Sequence, residues 1–134
     1  MKINVADKWC SRWARIKDAW ESNGILVAKC VTCGKIKDVR ELECGHFMSR
    51  RHMATRYSEL NTNPRGTYCN KWKNGNEAKH ARYIDEKHGE GTTERLEMEA
   101  RKVVKIDTQL ISTYYRELVN NTLKARGWEH LKWW

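Results

Sequence analysis

The run Cys30-Val31-Thr32-Cys33-Gly34 limits what this chain can fold into more than any other stretch. Two thiolates separated by two residues, with a glycine to allow the tight turn, can converge on one tetrahedral zinc ion. A pair of structural or redox thiols is the plainer reading of the same residues. Two further stretches depend on this knuckle: Cys44-Gly45-His46-Phe47 sets a histidine beside a cysteine, and Tyr68-Cys69-Asn70 sets a polar side chain directly after another. Cys10 falls outside these groupings and reads as a packed thiol.

The flanking segments carry helical signals. Trp9, Trp13, Ile16 and Trp20 recur at steps of four, three and four, predicting a helix over 6–21 whose stripe packs on the core. Base stacking is the other use of such a stripe. Ser22-Asn23-Gly24 reads as the helix stop, and 25–28 as a short buried strand leading to Cys30. A loose alternation over 35–47 predicts the first strand of a hairpin presenting His46. Asn63-Pro64-Arg65-Gly66 reads as a turn, and Thr67-Tyr68 as the return to the sheet. Asn70 then opens a helix to about Lys87, with Ala78, Ala81, Tyr83 and Ile84 toward its packed side. Thr93 caps a helix through about Val104, and Asp107 caps another. The apolar face of that last helix reads as Leu110, Ile111, Tyr114, Tyr115, Leu118 and Thr122. It covers the core or forms a dimer interface. The tail from Trp128 to Trp134 is expected to fold back.

Charge narrows the partners. With 26 Lys and Arg against 17 Asp and Glu, the net charge is +9, which favours a polyanion, although solubility alone would use the same surplus. Arg50, Arg51 and Arg56, in the basic segment 48–60, are the strongest local phosphate contacts, with Lys71 and Lys73 adding to them. A solvated loop is their bland alternative. His52, His80, His88 and His130 read as surface or DNA-facing. Five cysteines make an odd count, and the first residues lead into charge rather than an apolar run, so a reducing, cytoplasmic setting is expected. No stretch approaches the roughly 20 apolar residues of a membrane helix.

The order His46, Asn61, Asn70, with Cys69 before the last, resembles the HNH nucleases of the ββα-metal class, in the variant whose third member is asparagine. That resemblance implies that His46 is a general base, that Asn61 steadies the loop carrying it, and that Asn70, at a helix start, binds a catalytic cation. Over 30–90 the combination Cys-x-x-Cys-Gly, Cys-Gly-His-Phe-Met-Ser-Arg-Arg-His (44–52), Thr-Arg-Tyr-Ser-Glu-Leu-Asn (55–61), Cys-Asn (69–70) and Gly-Asn (75–76) is similar to the phage lambda NinG, or Rap, family. The family implies a recombination endonuclease acting on Holliday junctions and D-loops, working as a homodimer in the host cell cytoplasm. It also brings Cys69 into one structural zinc site with Cys30 and Cys33.

Two positions depart from the pattern. The family usually has a second Cys-x-x-Cys before the asparagine, and its first position here is Gly66; Cys44 is the substitute fourth ligand. Many HNH enzymes carry a metal-binding residue just before the base, where this chain has Gly45, and Glu43 is the replacement. If His46 were instead the fourth zinc ligand, the chain would be a zinc finger without catalysis.

The expected architecture is therefore α+β and a single domain. A zinc-stabilised, HNH-like, treble-clef ββα-metal core (30–90) follows an N-terminal helix and strand (1–29) and precedes a C-terminal helical extension (91–134). The expected activity is phosphodiester hydrolysis in branched DNA with Mg²⁺ or Mn²⁺ beside structural Zn²⁺. Cutting or nicking of ordinary duplex DNA, and a non-catalytic zinc module that binds DNA, are the alternatives.

Overall fold

The computed structural model describes residues 2–72, 76–131 and 133, and it is a mixed α+β structure. Helix α1 (Val5–Ile16) opens with a capping box: the Asn4 side chain accepts from the Asp7 amide at 2.8 Å, and the Asp7 carboxylate accepts from the Asn4 amide at 2.9 Å. It ends at Ile16, short of the predicted 6–21, so Trp20 lies on a strand. Strands β1 (Trp20–Ser22) and β2 (Ile25–Lys29) form a hairpin, with Asn23 and Gly24 both at positive φ, 51° and 81°. Asn-Gly here is a two-residue hairpin turn and not a helix stop, because paired positive φ matches the right-handed twist of the flanking strands.

Strand β3 (Ile36–Asp38) completes a three-stranded antiparallel sheet in the order β1-β2-β3. One turn of 3-10 helix (Val39–Glu41) leads into β4 (Leu42–His46), which presents His46; the single strand predicted over 35–47 is therefore two strands, β3 and β4, in different sheets. After a short helix α2 (Met53–Arg56), β5 (Thr62–Gly66) pairs antiparallel with β4, setting His46 opposite Thr62 and Cys44 opposite Pro64. Residues 63–66 are thus a fully buried strand, not a turn. Pro64 lacks an N–H, but its carbonyl still accepts from the Val31 amide at 3.0 Å.

Helix α3 (Thr67–Lys71) follows directly, so Thr67 and Tyr68 are helical and Asn70 sits in its last turn rather than opening the next helix. Helix α4 (Asn76–His88) has Ile84 and His80 buried, whereas Ala78 is exposed. Helix α5 (Thr92–Ala100) stops short of Val104, and its N-cap is Gly91. Thr93 lies inside its first turn, donating its amide and hydroxyl to the Asp85 carboxylate of α4, both at 2.9 Å. Helix α6 (Thr108–Ala125) is capped by Asp107 as expected. Its buried face is Tyr115, Val119 and Leu123, with Leu110 and Tyr114 exposed, so the predicted face is rotated.

The main core joins Ile16, Leu26, Ala28, Val39, Val119 and Leu123 to the tail residues Trp128, Leu131 and Trp133. The folded-back tail was the expected arrangement. A second cluster holds Ala6, Cys10, Tyr57 and Tyr115, and Trp9 and Trp13 pack against both. Helix α1 therefore ties the helical extension to the β4–β5 pair. Among the described residues no helix is long and apolar enough to cross a membrane.

Candidate functional site

The sulfur atoms of Cys30, Cys33 and Cys69 lie within 4.8 Å of one another. The knuckle closes as its sequence requires: the Gly34 amide donates to the Cys30 carbonyl at 2.9 Å, the Cys30 amide donates to the Lys35 carbonyl at 2.9 Å, and Gly34 has φ 75°. Burial resists ionisation of Cys30, but hydrogen bonds from the Thr32 hydroxyl and from backbone amides of Cys33, Gly66 and Thr32 bring its thiol down to about 6. A sulfur that is readily a thiolate, beside two others, fits a soft divalent ion such as zinc.

Cys44 is not part of this group among the described residues. Its thiol is instead hydrogen-bonded to that of Cys10, and this contact together with burial pushes the Cys44 thiol well above its ordinary value. The expected fourth ligand is thus corrected: β4 turns Cys44 toward α1, away from the knuckle. Gly66, where the family pattern would have a cysteine, does border the group through its amide.

His46 also stands apart from the sulfur atoms. Its Nε2 lies 3.0 Å from the Arg56 carbonyl, which can only accept, so Nε2 carries the proton and Nδ1 of the neutral ring is left with the lone pair. Burial, with help from the Arg50 charge, lowers the imidazole to about 4 despite the opposing Arg56 carbonyl, Asp7 charge and Cys44 carbonyl. Asn61 is fully buried and spans the loop after His46. Its Oδ1 accepts from the Met48 amide at 2.7 Å, while Nδ2 donates to the Met48 and Thr55 carbonyls at 2.9 and 3.0 Å. A side chain so satisfied holds a loop in place and has no donor left over for substrate.

His46 lines an open cleft of about 880 Å³ together with Glu43, Asn70 and the cations Lys8, Arg12, Arg15, Arg50 and Arg51. Asn70 Nδ2 donates to Glu43 Oε1 at 2.9 Å, joining the two residues singled out as oxygen donors. Asn70 Oδ1 and the second Glu43 oxygen suit a hard cation that retains water. Among the described residues, no His, Cys, Asp or Glu group of three besides the thiols converges on a point.

The basic residues divide. Arg50 and Arg51 line the cleft and Lys71 is exposed, whereas Lys73 lies outside the described residues. Arg56 is not a phosphate contact: its guanidinium grips the Asp7 carboxylate at 2.6 and 2.9 Å, with side chains only 6 % and 7 % exposed. Asp7 was not legible as a site residue. Asp at N3 reads only as a cap, and its bond to Arg56 comes from folding. Through it, α1 holds the residue whose carbonyl receives the His46 proton.

His80 is buried too, not surface-facing. Asn63 Nδ2 donates to its Nε2 at 3.0 Å, and burial with nearby positive charge lowers it to about 3. The glycine before His46 has a steric explanation. A Cβ at Gly45 would fall 2.1 Å from Cδ of Arg65, a fully buried side chain pinned by the Cys69 carbonyl and Glu77. No protein-family model, curated protein or solved structure matches this chain.

Proposed function

We propose that this protein is a metal-dependent DNA endonuclease of the HNH type, with the branched-DNA preference of the NinG family as its substrate class. The observation that carries the reading is the placement of His46. It is neutral, tethered through Nε2 to a backbone carbonyl, and opens onto a basic cleft that also holds the Glu43–Asn70 pair. The antiparallel β4–β5 pair, joined through α2 and followed by α3 with Cys69 of the thiol group, supports a ββα-metal reading.

In this reading His46 Nδ1 takes a proton from a water whose oxygen bonds to phosphorus as the P–O3′ bond breaks. Asn61 keeps the His46 loop in register, and Arg50 and Arg51 receive backbone phosphates. Glu43 and Asn70 would hold Mg²⁺ or Mn²⁺, which supplies charge neutralisation at the phosphate oxygens. Cys30, Cys33 and Cys69 would hold a structural zinc ion. A homodimer would cut two symmetric strands.

The test is cleavage of a four-way junction and a linear duplex of the same sequence, with Mg²⁺. Junction cutting by the wild-type protein, lost in His46→Ala while binding persists, is the expected result. Equal cutting of the linear duplex would replace the branched substrate with ordinary DNA. Binding without cutting by the wild-type protein would leave a zinc-stabilised DNA-binding module, and full cutting by His46→Ala would remove His46 from the mechanism.

A further inference from the structure

Helix α3 carries two aromatic side chains that packing does not explain. Tyr68 is 73 % exposed and Trp72, just past the helix end, is 59 % exposed. Neither belongs to either core cluster. Their ring centroids are 6.5 Å apart with planes tilted 45°, so they stand side by side without stacking face to face. The Lys71 ammonium lies 6.0 Å from the Trp72 ring centroid.

Helical geometry orders these residues around α3. With about 100° between successive residues, Cys69 faces inward to the sulfur group and Asn70 faces the cleft. Lys71 follows, and Tyr68 and Trp72 share the next sector. One outward arc therefore runs from the edge of the basic cleft, across a cation, to two exposed rings.

We propose that Tyr68 and Trp72 form a stacking platform for unpaired bases of a DNA strand whose phosphates lie along the basic cleft. The proposal rests on the nucleic-acid reading above and adds where the bases go. Charge decides the occupant: Lys71 adjoins the rings, and beyond it the cleft, reached at Asn70 about 160° round α3 from the rings, presents Arg50 and Arg51, a path suited to a polyanion. Base pairing decides its form, because bases within a duplex are already stacked on their neighbours, whereas unpaired ones offer a free π-face to Tyr or Trp. The platform thus gives this chain a physical preference for DNA with a single-stranded segment at the cleft.

The experiment measures binding of a fluorescein-labelled oligothymidylate and of a fully paired duplex by anisotropy, at fixed salt, using the whole chain. Tyr68→Ala with Trp72→Ala should weaken single-strand binding about tenfold or more and leave duplex binding nearly unchanged. Tyr68→Phe with Trp72→Phe should restore it. Unchanged single-strand affinity in the alanine variant overturns the proposal, as does an equal loss on duplex. A change from dimer to monomer on alanine substitution, with DNA binding intact, would reassign the pair to contacts between copies of this chain. The two readings fail separately: single-strand binding by the alanine variant bears on the platform alone, and junction cutting by the wild-type protein bears on the endonuclease assignment alone.

Discussion

The thiol group and the imidazole cleft share α3, where Cys69 and Asn70 are adjacent, yet they are held together by different means. At the thiol group, three side chains from the knuckle and α3 approach within 4.8 Å, and a bound ion would do the final fastening. At the cleft, hydrogen bonds already fix the side chains: His46 to the Arg56 carbonyl, Asn61 to three backbone groups, and Asn70 to Glu43. One region would draw its final stability from a bound ion. The other is preorganised and open to solvent, which suits a place where a substrate enters and leaves.

Removing the ion should expose this contrast most strongly. Chelation, or Cys30→Ser, is expected to release zinc and lower the thermal midpoint sharply, since structural zinc contributes on the order of 10 kcal/mol in small metal-dependent folds. Zinc stoichiometry by mass spectrometry beside a calorimetric scan checks it, and an unmoved midpoint would deny the thiol group its scaffolding role. His46→Ala, by contrast, should leave the midpoint nearly in place while cutting falls about a hundredfold or more. The wild-type rate should be flat through neutral pH and drop only as the pH approaches 4, where the ring takes up a proton.

Asp7→Asn tests whether preorganisation reaches the cleft from α1. Because the Arg56 charge would stay buried without its carboxylate, a destabilisation of about 3 kcal/mol is expected in denaturant titration. Cutting should fall with it, and Asp7→Glu should recover part of both.

Gly66→Cys addresses the other region. The backbone there has φ −63°, and the nearest atoms to an added Cβ belong to the flexible Lys37 side chain, at 3.6 Å or more, so the Cβ is accommodated. Zinc competition with a chromogenic chelator should show tighter binding in the variant, and unchanged affinity would mean that position 66 does not reach the ion.

The last prediction concerns His80, whose ring is held at about 3 by burial. Its folded value lies below its unfolded one, so the unfolded chain binds the extra proton. Stability from this residue is intact above about 6.5, falls as pH drops below that, and levels off near 3. His80→Gln should flatten part of the acid-side slope in urea midpoints measured across that window.

Several local patterns could be read directly. The knuckle, the Asp107 cap, the strand leading to Cys30, the strand bearing His46 and the folded-back tail all follow from contacts within a few residues or from apolar burial. Asn23-Gly24 was equally legible as a hairpin, but the tryptophan spacing to Trp20 pointed to a longer helix. Asn63-Pro64-Arg65-Gly66 has turn chemistry that its surroundings override: pairing with β4 and burial of Arg65 against the Cys69 carbonyl make it a strand.

The residue order by itself determined that three cysteines, a histidine and two asparagines would be available, and which of them neighbour one another along the chain. Tertiary structure alone decided that Cys44 turns to Cys10, that Arg56 is spent on Asp7, and that His46 faces a cleft apart from the sulfur atoms. The first and last depend on which face of β4 meets α1, and the second on where α2 docks against α1. That is a long-range packing choice, and local propensity carries no information about it.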